Sequence, residues 1–242
     1  MPDNSNIKAL LFDVFGTVVD WRNGVARHVG LFLNRHSIPI EPFEFADAWR
    51  RHYAPSMEEI RSGQRPFVRL DTLHRENLVT VMADYGLDAS SISPEELDEL
   101  NHTWHRRDPW PDSIEGLLRL KRRFMIAPLS NGNIRLILDM AKRAALPWDA
   151  ILGAEVVRAY KPSPQVYVDT VDILGLKPAE VCMVAAHNGD LAAARRCGLR
   201  TAFVLRSTEH GSSQKSDLRA EQNWDFTAAD LNDLATQFGC PT

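Results

Sequence analysis

The chain has 242 residues, 44% of them hydrophobic and 25% charged, with a formal net charge of −4. That is room for one large domain or two smaller ones around an ample core, and the composition is that of an ordinary soluble globular protein. Acid and base are interspersed without a nucleic-acid footprint, no apolar run is long enough to span a bilayer, and the opening MPDNSNIK lacks the basic and apolar regions of a secretion signal.

The first element is the apolar run Ala9-Leu10-Leu11-Phe12, which reads as a buried strand ending at Asp13, with Gly16 allowing a tight turn after it. Beyond Thr17 the pattern turns helical. Val25, Val29, Phe32 and Leu33 share one face; residues 43 to 61 and about 68 to 85 follow; Pro94 opens a fourth segment. Nothing between residues 18 and 105 reads as a strand, so an all-helical block follows a single strand. Asp112 and Glu115 resemble a capping box for a helix burying Ile114, Leu117 and Leu118. Residues 124 to 129 read as a strand, then a helix carries Ile134, Leu138 and Ala141. Residues 151 to 157 read as another strand. Pro164 opens a helix that stops at Gly175, residues 181 to 186 form a strand, and an Ala-rich helix follows from Asp190 to Gly198. A strand over 201 to 205, a polar loop over 211 to 216 and a helix over about 228 to 238 complete the chain. Alternating strands and helices predict an α/β fold, a parallel sheet covered on both faces.

In such sheets ligands bind outside the carboxyl ends of the strands. Four predicted strand ends carry polar groups: Asp13 with Thr17, Ser130 with Asn131, Lys161, and His187-Asn188-Gly189-Asp190. Each has a plain structural reading. Asp13 can bond its own turn, Ser130-Asn131-Gly132 can be a turn, Lys161 a solvated lysine and Asp190 an N-cap. The conjunction of four strand ends in order favours one site. The three cysteines, Cys182, Cys197 and Cys240, are odd in number and lack metal-ligand spacing. Cys182 reads as a core residue, and a reducing cytoplasm is expected.

LLFDVFGT, LSNGN, YKPSPQVY and AAHNGDLAAARRCG resemble, in order and spacing, the motifs of the haloacid dehalogenase superfamily. The resemblance implies a Rossmann-like core, residues 1–17 and 106–242, with residues 18–105 as an inserted all-helical cap. Phosphatases of that superfamily need a second Asp where Phe15 stands, and Asp190 has no acidic partner in its motif. A hard divalent cation wants several oxygen ligands, so no metal and no cofactor is expected. The pattern Asp-x-Phe-Gly-Thr is instead similar to the (S)-2-haloacid dehalogenases. The implied reaction is displacement of halide by Asp13, then hydrolysis of the aspartyl ester to a 2-hydroxy acid.

The resemblance further assigns Lys161 as partner of Asp13, and Asp190 as the group that holds Lys161 and positions water. Thr17, Ser130, the backbone N–H groups of Val14 and Phe15, and Tyr167 would hold Asp13 and the substrate carboxylate. Arg50, preceded by Trp49, and Asn131 would bind the departing halide; the plain reading of Arg50 is a surface arginine beside Arg51. Three positions depart from the family pattern: Ala185 replaces a serine, His187 an asparagine and Gly189 a bulky aromatic. His187 could then donate to the halide beside Arg50 and Asn131, which would bring fluoroacetate within reach; its plain reading is packing, or a bond to Asp190. The expected partner is a small 2-haloacid, with a homodimer left open. The alternatives are a phosphohydrolase of the same superfamily and a non-catalytic carboxylate-binding protein.

Overall fold

The computed structural model describes residues 4–241. Its centre is β1, Ala9–Phe12, whose residues are fully buried and alternate between two faces. Leu10 and Phe12 join one apolar cluster, Ala9 and Leu11 the other, so helices cover both sides of the sheet. After β1 the chain forms β2 (Val19–Asp20) and the helices α1 (Trp21–Arg35), α2 (Pro42–Arg51), α3 (Tyr53–Arg61), α4 (Leu70–Asp84) and α5 (Pro94–Asn101). It continues through β3 (Asp108–Pro109), α6 (Ser113–Lys121), β4 (Met125–Ser130), α7 (Ile134–Ala144), β5 (Leu152–Gly153), α8 (Ala154–Val157) and α9 (Pro164–Ile173). The last elements are β6 (Val181–Ala185), α10 (Asn188–Arg196), β7 (Arg200–Val204), β8 (Phe226–Ala228) and α11 (Leu231–Gln237). The main sheet runs β5-β4-β1-β6-β7-β8 with every pairing parallel. The α/β fold with a helical insertion after the first strand is as the sequence predicts, and β1 lies between β4 and β6. Their carboxyl ends therefore converge. No helix among the described residues is long and apolar enough to cross a membrane.

Several expectations are corrected. Val19–Asp20 pairs antiparallel with Asp108–Pro109, so a small ribbon lies where no strand was expected; two residues are too few to show a period. The helical stretch over 43 to 61 breaks at His52 into α2 and α3. On α6 the buried face is Gly116, Leu117 and Leu120, while Leu118 faces solvent. The cause is α11: a Cβ on Gly116 would lie 2.6 Å from the Leu231 side chain, so only glycine allows this approach. Asp112 does not cap α6, because its carboxylate receives two bonds from Arg206, each 2.7 Å, and the Leu231 N–H. On α7 the inward residues are Leu136, Ile137, Met140 and Ala141, leaving Ile134 and Leu138 outward. The strand expected over 151 to 157 ends at Gly153, where φ is +134° and a Cβ would sit 2.2 Å from the Ser130 carbonyl oxygen. The chain turns there into α8 and reaches Lys161. Residues 226 to 228 form an edge strand before α11 starts at Leu231, capped by Asp230.

Candidate active site

Asp13 leaves β1 just past the last paired residue and is almost wholly buried. Gly16, at φ +87°, turns the chain back so that Thr17 reaches it; the Thr17 hydroxyl donates to Asp13 Oδ2 at 2.7 Å and accepts the Ala186 N–H at 2.9 Å. Lys161 Nζ donates to Asp13 Oδ1 at 2.9 Å and also to Asp190 Oδ2. Asp190 lies in the first turn of α10 rather than at its cap, which is His187. The three residues expected to be catalytic are thus in contact. Burial alone would raise the Asp13 pKa and lower that of Lys161. The Lys161 ammonium and the His187 ring outweigh burial and hold the Asp13 carboxyl well below the usual range. The two carboxylates in turn hold Lys161 above the usual lysine value. Asp13 is therefore an anion, as a nucleophile must be. We expect single-turnover halide release to stay flat as pH falls through the ordinary carboxylate range near about 4; a loss of rate there would show that the lysine does not keep Asp13 ionised.

A cavity of about 300 Å³ opens over this group, lined by Asp13, Phe15, Asn131, Lys161, His187, Gly189 and Asp190 from the strand ends. Arg50, Tyr53, Ala54, Met57 and Arg61 line it from α2 and α3. The Arg50 guanidinium stacks on Tyr53 at 3.7 Å and lies 5.4 Å from the Trp21 ring, with no carboxylate partner among the described residues. Asn131 Oδ1 accepts the Lys161 backbone N–H at 2.8 Å, which leaves its amide NH₂ as a donor. Arg61 Nη1 donates to the Lys161 carbonyl at 3.1 Å, tying α3 to the lysine loop. The backbone N–H groups of Val14 and Phe15 have no acceptor among the described residues.

Three assignments change. Ser130 is buried and its hydroxyl accepts the Gly132 N–H at 3.0 Å, so it closes the turn after β4 instead of bonding Asp13. Tyr167 is buried behind the site; its hydroxyl donates to Asp190 Oδ1 at 2.5 Å and it does not border the cavity. His187 borders the cavity, but neither ring nitrogen is left for a halide. Nδ1 lies 3.1 Å from Asp13 Oδ2, and Nε2 lies 2.9 and 3.1 Å from the two oxygens of Glu209. Burial would lower the His187 pKa; Glu209 first and Asp13 second outweigh it and raise it well above the usual value. With Asp13 ionised His187 is an imidazolium.

Glu209 is the site neighbour that the sequence did not disclose. It follows β7 in a polar loop, and a lone glutamate there has no local pattern. Burial would raise its carboxyl pKa, but His187 outweighs that and lowers it. Gly16 also makes room for it, since a Cβ there would lie 2.1 Å from Glu209 Oε1. The loop glycine of the first motif thus serves both the turn and this carboxylate. The carboxylates Asp13, Asp190 and Glu209 thus face Lys161, His187 and Arg50, with Arg61 also on the cavity wall.

A family model for haloacid dehalogenase-like hydrolases matches residues 7–198. The chain is 50% identical to a crystallised defluorinating L-2-haloacid dehalogenase, with a TM-score of 0.96 and 99% and 100% of the two chains covered. It is 44% identical to a second L-2-haloacid dehalogenase structure, with a TM-score of 0.92 and coverage of 96% and 99%. Over 206 residues it is 29% identical to an (S)-2-haloacid dehalogenase of Pseudomonas sp. (strain CBS-3), covering 83% of this chain and 85% of the relative. With a buried Asp–Lys–Asp group at the strand ends and a match over most of its length, the chain belongs to the haloacid dehalogenase-like hydrolases.

Proposed function

We propose that the protein hydrolyses short (S)-2-haloacids to 2-hydroxy acids through an ester on Asp13, fluoroacetate among its substrates. The observation that carries this reading is a buried Asp13 bonded by Lys161 at a small cavity that Arg50 also borders. The substrate carboxylate lies against the Val14 and Phe15 N–H groups and Lys161. Asp13 attacks C2; its oxygen–carbon bond forms as the carbon–halogen bond breaks, and the halide leaves with the electron pair toward Arg50 and the Asn131 amide. A planar guanidinium suits that anion because it offers several fixed donors where charge develops.

The ester carries no charge, so His187 then keeps only one of its two carboxylate neighbours. Its proton passes to water through the open side of the cleft, where the His187 side chain is 26% exposed. The neutral ring, oriented by Glu209, takes a proton from a water whose oxygen bonds to the Asp13 carbonyl carbon. The ester bond breaks and the product alkoxide takes that proton; the second proton of the water passes from the new Asp13 carboxyl to His187 Nδ1, which restores the Asp13 carboxylate and the imidazolium. Asp190 holds Lys161 and is held by Tyr167; with both its oxygens so engaged, the water-positioning role expected of Asp190 passes to His187 in this reading. Halide release is to be measured from chloro-, bromo- and fluoroacetate and from both 2-chloropropionate enantiomers. Release from the acetates and from the (S) enantiomer alone is the expected result. Phosphate release from phosphomonoesters with no halide release would replace this reading.

We expect no metal requirement. Phe15 offers no side-chain oxygen ligand, Asp190 has no acidic partner in its motif, and the Lys161 ammonium already supplies positive charge to both Asp13 and Asp190. Full activity is expected in EDTA; activity lost there and restored by Mg²⁺ would contradict the reading.

A further inference from the structure

We infer that Trp21 is a positioning residue for both half-reactions, its indole N–H aligning the Glu209–His187 pair and its ring supporting Arg50. The inference rests on the ester mechanism proposed above. Trp21 is the first residue of α1, is 1% exposed, and is fixed there by Asp20, which caps the helix through the Asn23 N–H. Its Nε1–H donates to Glu209 Oε1 at 2.9 Å. The Glu209 side chain is 2% exposed, and its other described partners are His187 and, at 3.6 Å, His210. Without the indole, one oxygen of a buried carboxylate loses a direct donor, which the desolvated anion replaces by rotating or by admitting water. Either outcome turns the His187 ring, whose Nε2 is held only by that carboxylate, away from the Asp13 carbonyl.

The second contact lies at the halide end. The Arg50 guanidinium is 5.4 Å from the Trp21 ring, within the range where a ring quadrupole holds a cation without consuming its N–H donors. Trp21 is itself packed against Trp104 at 6.0 Å, so its ring is a fixed platform. The Glu209 bond also joins α1 of the helical insertion to the loop after β7. The base is therefore aligned only when the insertion sits on the sheet, in the same arrangement that brings Arg50 over Asp13. Trp21 itself is neither acid nor base and touches no reacting atom.

The two contacts separate by substitution. Trp21→Phe keeps a ring and removes the N–H; Trp21→Leu removes both. Full-length enzyme is mixed with chloroacetate in a rapid-quench instrument. Chloride release and the glycolyl ester on the protein are followed together, and bromide inhibition is measured in the steady state. The burst amplitude counts folded sites, so the two rates are compared per active enzyme whatever fraction folds. For W21F we expect chloride release within about twofold of wild type, ester hydrolysis slowed about tenfold with the ester accumulating, and bromide inhibition unchanged. For W21L the same hydrolysis defect is joined by weaker bromide inhibition. An ester hydrolysed at the wild-type rate by W21F overturns the inference, and so does parallel slowing of both steps in the two variants. A wild-type enzyme that forms no ester refutes the mechanism first, and the role of Trp21 with it.

Discussion

Asp13→Asn stops halide release from every 2-haloacid, by about 10⁴-fold or more. An amide is a poor nucleophile, and neither neighbouring carboxylate can take over. Asp190 is held by Lys161 and Tyr167, and Glu209 by Trp21 and His187. The substitution removes one charge but no volume, so the fold remains, and the isosteric side chain still accepts from Thr17. A rate within tenfold of wild type would mean that another group displaces the halide.

His187→Asn has a different signature. It spares the displacement and slows ester hydrolysis, by roughly a hundredfold to ten-thousandfold for loss of a general base. One equivalent of halide appears per active site, then release nearly stops, and intact-protein mass spectrometry finds the ester. Fluoro-, chloro- and bromoacetate all leave the same glycolyl group on Asp13. The hydrolysis defect is therefore the same for all three halogens. A histidine that bound the halide would instead impair fluoride release most. The pH dependence follows from the sign of the shift. Glu209 raises the His187 pKa and the base must be neutral, so ester hydrolysis in the wild type rises with pH through that pKa. The variant loses the rise.

The fold and the nucleophile were legible because their signals are local. A short apolar run, a terminal Asp and a turn glycine recur with fixed spacing, and strand ends in a parallel sheet converge. Asp13, Lys161, Asp190 and Thr17 come together as the motifs imply, with Arg50 and Asn131 on the cavity wall. What failed depends on packing between distant segments. The buried face of α6 is set by Gly116 against Leu231, and the end of β5 by Gly153 against Ser130. The second partner of His187 is Glu209, 22 residues away along the chain. An imidazole flanked by two carboxylates is a base in waiting; with neither partner visible it read as a spare donor. Tyr167 likewise looked like a substrate contact because its motif gives its neighbourhood and not the direction of its hydroxyl, which ends on Asp190.

The central claim is that the oxygen delivered to the product comes from Asp13. Enzyme in excess over (S)-2-chloropropionate is allowed one turnover in H₂¹⁸O, and both the lactate and the Asp13-containing peptide are weighed. The account predicts unlabelled lactate and one ¹⁸O in the Asp13 carboxylate. Label in the lactate of that first turnover, with Asp13 unlabelled, would mean that water attacks the substrate directly and would contradict it.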